Sequence, residues 1–234
     1  MSNFFENAVP RNAVYTRNIL RNVYIWMTLA LSITGVVAFV LGQNTAFAEQ
    51  FLGTPLYYVL LVGSVIMVFA LSGFIMKMNP MVATLVFAAY SVLVGVIIAP
   101  IFAVYTATSI ATTFFITAGL FGTMSVFAIT TKRDLSSWGN FLMMAVIGLF
   151  IAGLVNMFLH SSVMGYIISF IGVLVFTALT AYDTQKIKRM SDSKGDNIVE
   201  ADFIRLSILG ALTLYLDFVN IFLYLLRFFG SSRN

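Results

Sequence analysis

Asp183 and Asp217 fall at or inside the last two of seven apolar segments, in a chain that has only nine acidic residues. An unpaired carboxylate in hydrocarbon is costly, so an ionisable group placed there is a functional-site candidate by default. Two ionised carboxylates about 4 Å apart, at an effective dielectric of about 20, repel by roughly 4 kcal/mol. Such a pair shares one proton and behaves as a pH switch. Sharing a proton holds two helices together. A doubly ionised pair must separate, recruit a cation or attract a base. Calcium takes several hard oxygen ligands, and Thr213, Asn220 and backbone carbonyls near Asp183 are candidates to join the two carboxylates, as transient rather than tight ligands.

The elements that must position these acids follow from composition. With 60% apolar and 9% charged residues and a mean hydropathy of +0.98, the chain lies far outside the range of soluble domains. Runs long enough to cross about 30 Å of hydrocarbon as helices fall near residues 23–41, 54–76, 81–104, 108–130, 141–159, 163–182 and 206–226. They are continuously apolar, whereas barrel strands alternate and are about half as long. The expected architecture is an all-α integral membrane protein: a polar tail over residues 1–22, a seven-helix bundle over 23–227 and a short tail over 228–234. No secretory cleavage pattern follows the first segment, and the absence of cysteine excludes thiol chemistry.

Lys and Arg are retained on the cytoplasmic side of a membrane. Placing the amino terminus there puts 11 of the 13 basic residues inside, leaving only Arg227 and Arg233 outside. The alternative is a half-inserted last segment. The net charge of +4 then belongs to loops facing anionic headgroups, and no nucleic-acid partner is expected.

Polar content predicts which helices face the bundle interior. In the last segment Gly210, Thr213, Asp217, Asn220, Tyr224 and Arg227 recur at steps of three or four and share one face. In the sixth, Ser169, Gly172, Thr180 and Asp183 form a weaker stripe, and the two stripes are expected to face each other. Ser109, Thr113 and Thr117 repeat at i+4 in the fourth segment, a pattern of close packing first and pore lining second. Pro100 is expected to kink the third near its outer end.

Depth raises a difficulty. Span boundaries put Asp183 near the inner end of the sixth helix and Asp217 about 15 Å deeper along the seventh. The two meet only if the sixth helix continues through Gln185 to Met190, leaving Ser191 to Asp202 as the loop.

The stretches TAYDTQKIK from Thr180, LTLYLDFVNIF from Leu212 and LRFFG from Leu226, together with the TKRDLS loop from Thr131, resemble the Bax inhibitor-1 family over nearly the whole chain. That resemblance implies six helices around a seventh and a calcium-permeable leak that responds to pH through an aspartate dyad, matched here by Asp183 and Asp217. It also implies a basic latch near the inner end of the second helix, matched by position by Lys77, although lysine lacks the bidentate fork of an arginine. Thr180, Thr213, Asn220 and Tyr224 are the supporting polar face. No cofactor is expected beyond calcium as permeant ion, and the partners are the bilayer, calcium and protons. Short loops and the resemblance point to a bacterial inner membrane.

Other function classes are less well served. An aspartate after Tyr182 is similar to half of the intramembrane aspartyl protease signature, but no glycine flanks Asp217 and no Pro-Ala-Leu follows, so no enzyme is expected. His160 beside Ser161 reads as a solvated loop residue, and no lysine in the last helix could carry retinal. Binding to a membrane protease or another membrane partner, with the amino-terminal tail as docking segment, and proton-coupled transport are the competing readings.

Overall fold

The computed structural model describes residues 11–44, 50–193 and 198–231. Seven long helices make up nearly all of it: α1 Arg11–Gly42, α2 Pro55–Phe74, α3 Pro80–Ile98, α4 Ala107–Thr130, α5 Gly139–Leu159, α6 Ser162–Ser193 and α7 Glu200–Phe229. Each contains a stretch long and apolar enough to cross a membrane. The joints are short and capped by their own sequence. Asn79 accepts from Met81 N at 2.9 Å ahead of α3, with Pro80 in its first turn, and Thr106 accepts from Ser109 N at 3.2 Å ahead of α4. His160 closes α5 in the left-handed conformation, φ 50°. That leaves its ring in the α5–α6 turn, as expected for a loop residue.

Three boundaries differ from the apolar runs. Helix α1 begins at Arg11, so the second half of the polar tail is helix, while residues 1–10 lie outside the described part. Pro100 ends α3 rather than bending it, and one separate turn, Ile101–Val104, follows. Helix α6 runs on to Ser193, eleven residues beyond the apolar run, through Lys186, Lys188 and Arg189.

Helix α7 is the most buried span: 67% of its most apolar stretch is inside, against 17–39% for the other six. It packs against α1, α3, α4 and most extensively α6. Helices α2 and α5 stand further out, α2 resting mainly on α3 and α5 on α6. In α4, Thr113 and Thr117 are buried, and Thr117 donates to the Thr113 carbonyl at 2.8 Å. Ser109 serves the turn instead, accepting from Ser231 N at 3.1 Å.

Candidate functional site

Glycines set the register of α6 against α7. A Cβ on Gly165 would meet the Arg227 guanidinium at 2.8 Å, one on Gly172 the Tyr224 ring at 2.6 Å, and one on Gly210 the Ile187 side chain at 3.2 Å. The helices therefore run antiparallel with their small residues receiving large ones, and the two polar stripes do face each other. Interpolating between those contacts puts Asp183 level with Thr213 and Asp217 level with Thr180, about one turn or 5 Å apart along the axis. The 15 Å separation in depth disappears because α6 continues past Asp183 as helix.

Both acids are inside the protein, Asp183 8% and Asp217 4% exposed. The charge of Asp183 acts on Asp217, and that of Lys186, three residues along α6, acts on Asp183. Asp217 Oδ2 has no hydrogen-bond partner among the described residues. Thr180, Thr213 and Asn220 donate to the carbonyls four residues back, Phe176, Leu209 and Leu216, at 2.9, 3.0 and 2.8 Å. The single hydroxyl protons of the two threonines are thus used within their own helices, and all three side-chain oxygens can only accept. Tyr224 lies farther along, stacked near Phe176 at 5.9 Å, and lines the α6 contact rather than the acid pair. Lys77 is exposed at the end of the turn Ile75–Lys77. Among the described residues no hydrogen bond or ion pair joins it to either aspartate. Nor do the described residues contain three or more His, Cys, Asp or Glu grouped to hold a metal ion.

Three groups of contacts were not foreseen from sequence. Tyr215, two residues before Asp217, bonds Thr34 at 2.7 Å, and Thr34 donates to the Ser91 carbonyl at 2.8 Å, so one buried chain ties α7, α1 and α3. Arg205 reaches from α7 to the Met78 carbonyl at 2.7 Å and to Asp202 at 2.9 Å. Gln185 clasps the α4–α5 loop: its Oε1 accepts from Leu135 N at 2.8 Å and its Nε2 donates to the Arg133 carbonyl at 2.9 Å. Lys188 donates to the Ile129 carbonyl at 3.1 Å, and Arg189 pairs with Asp134. Only Arg205 left a local trace in the sequence, an acid three residues earlier; the others are long-range.

The clasp makes a pH prediction. The Ser136 amide, and then Arg189, hold the Asp134 carboxyl below the usual carboxylate range. A depressed carboxylate contributes stability above its unfolded value of about 3.9 and loses it as pH falls through the folded value. Amide exchange of residues 131–136 is therefore expected to stay flat, relative to intrinsic rates, from about pH 8 to 5 and to accelerate only in stronger acid. Gln185→Leu, which removes two loop bonds worth about 1 kcal/mol each, should speed exchange there at every pH.

Seven apolar helices around a buried, unequally solvated carboxylate pair define a multi-pass helical membrane protein with an ionisable interior. Comparison with known proteins supplies the family. A family model described as inhibitor of apoptosis-promoting Bax1 matches residues 16–234. The chain is 45% identical over 225 residues to the inner membrane protein YbhL of Escherichia coli K12, covering 96% of this chain and 95% of that one. It is 42% identical to a protein of Borreliella burgdorferi, covering 92% of each, and 36% identical to YrjE of Lactococcus lactis, covering 84% of this chain and 81% of that one. The chain belongs to the Bax inhibitor-1 family.

Proposed function

We propose that this protein is a calcium-permeable leak of a bacterial inner membrane, opened and closed by the protonation of Asp183 and Asp217, and that it has no enzymatic activity. The inner-membrane location rests on the similarity to YbhL, whose name carries it, and on the seven spans. The single observation that supports the gate is the pair of buried carboxylates on antiparallel neighbours, one oxygen of which has no partner among the described residues. A proton held between them joins α6 to α7. Its loss leaves two like charges that repel by up to roughly 4 kcal/mol at contact, enough to shift a two-state equilibrium by about a thousandfold. Calcium is the cargo; two carboxylates with neutral oxygens nearby attract it without building the six- to eight-ligand cage of a resident site.

The test is calcium entry into liposomes that carry the purified protein, followed by an internal dye from about pH 5 to 8. Entry is expected without any added solute, with a rate that changes with pH, and Asp183→Asn or Asp217→Asn should each remove most of that change. Absence of entry at every pH would sink the leak and favour a partner-binding role. Entry only with an organic solute would favour coupled transport.

A further inference from the structure

At the basic end of the bundle a cleft of about 450 Å³ lies between the α4–α5 loop and the extended part of α6. Four cationic side chains line it, Lys132, Arg133, Lys188 and Arg189, against two carboxylates, Asp134 and Asp192. A second cavity, of about 250 Å³, also has Arg133 and Asp134 in its wall, but its other walls include Met124 and Phe127 of α4, Trp138, and Ala178 and Tyr182 of α6. A charged cleft and a mostly apolar one thus meet at a shared edge.

Their depth follows from the chain. One membrane-crossing span ends at Thr130 and the next begins at Ser136, so the short joint between them stays at the boundary where lipid headgroups lie. Trp138, the third residue of the second span, is 52% exposed, and tryptophan settles at that level of a bilayer.

The loop backbone is pinned while two of its cations are spare. Gln185 holds the Arg133 carbonyl and the Leu135 amide. Thr131 Oγ1 accepts from Arg133 N at 3.2 Å, and Asp134 Oδ1 accepts from Ser136 N at 2.7 Å. On the α6 wall Lys188 donates to the Ile129 carbonyl and Arg189 pairs with Asp134. The side chains of Lys132 and Arg133 are exposed, and among the described residues neither makes a hydrogen bond or an ion pair. Holding the loop therefore accounts for Lys188 and Arg189 and leaves Lys132 and Arg133 free to bind, on a backbone already ordered.

We propose that the two cavities together hold one anionic phospholipid of the adjoining leaflet, its phosphate diester between Lys132, Arg133 and Lys188 and the first part of an acyl chain beside Phe127 and Trp138. Charge complementarity selects the occupant. The six charged groups of the cleft leave an excess of two positive charges, which a zwitterionic headgroup does not balance. A guanidinium fork matches two phosphate oxygens, and Lys188 keeps two of its three protons after the bond to Ile129. Inorganic phosphate or an acidic peptide would leave the apolar cavity unfilled.

The test is native mass spectrometry of the full chain, stripped of lipid in detergent and titrated with phosphatidylglycerol or phosphatidylcholine. One equivalent of phosphatidylglycerol should bind about twentyfold more tightly than phosphatidylcholine, as expected for two uncompensated cations at a headgroup. Arg133→Ala and Lys132→Ala should each weaken it about fivefold, and Arg133→Lys, which keeps the charge without the fork, should weaken it less than Arg133→Ala. Basic residues at a membrane surface attract anionic lipid in general, so Arg21→Ala supplies the contrast: it removes an exposed cation near the start of the first span and should leave binding unchanged. Millimolar inorganic phosphate should not displace the lipid. Equal retention of the two lipids, a loss in Arg21→Ala as large as in Arg133→Ala, or displacement by phosphate would each overturn the site. Binding is read without calcium, so the lipid site and the leak stand or fall separately.

Discussion

Asp217→Leu is expected to raise the thermal midpoint of the protein in detergent while abolishing the pH response of calcium entry. The side chain is buried, with Oδ2 unpartnered among the described residues, and a buried polar group without a partner costs about 1–3 kcal/mol. Leucine has a similar reach, carries no polar atom and joins a helix whose Leu214 and Ile221, three and four residues away, are already core residues. Replacing a poorly satisfied buried charge by a well-packed apolar group is often stabilising. At about 2–4 °C for each kcal/mol in a chain of this size, the midpoint should rise by roughly 2–12 °C. Melting followed by circular dichroism near pH 7 measures it. A lower midpoint would mean that the carboxylate holds α6 to α7 more strongly than its unpaired oxygen implies.

Tyr215→Ala should have the opposite effect and a larger one. The residue is fully buried, edge-on to Phe87 and Tyr90 with ring centroids 5.9 and 6.1 Å away. Removing a ring from such a site costs about 3–5 kcal/mol. Tyr215→Phe is the informative control. Thr34 gives its single proton to the Ser91 carbonyl, so in the 2.7 Å contact with Tyr215 it is the tyrosine that donates. Phenylalanine removes that donor without stranding another, and a loss of about 1 kcal/mol is expected. Unfolding midpoints in a denaturing detergent series should separate the two variants clearly. Similar losses would mean that the hydroxyl chain, not the ring, anchors α7 to α1 and α3.

Much of this was legible in the chain before any coordinates. Continuous apolar runs located all seven spans because hydrocarbon demands length and satisfied backbone. The three- and four-residue spacing picked out the faces on which α6 and α7 meet. Charge hid the rest. The sixth apolar run stops at Tyr182, but the helix does not: Gln185 and Arg189 find partners on the α4–α5 loop and Lys188 on the last turn of α4, none of them announced by a local pattern. Distance in sequence likewise concealed the bond between Thr34 and Tyr215. Pro100 was read as a kink, yet the helix stops at Ile98, and the missing amide falls in the joint to the next turn. Tyr224, on the same face as Asp217, packs its ring over Gly172 of α6, about two turns beyond the acid.

Asp183 and Gln185 are two residues apart on one continuous helix, hence about 200° apart around its axis. The acid side of α6 is turned to α7, where Ile187, one turn on, lies against Gly210, and the amide side is tied to the loop. A rod gripped on opposite sides at nearly the same height cannot spin freely. Any displacement of α6 that parts the two acids must be a tilt or a slide along its length, with the loop carried along as cargo.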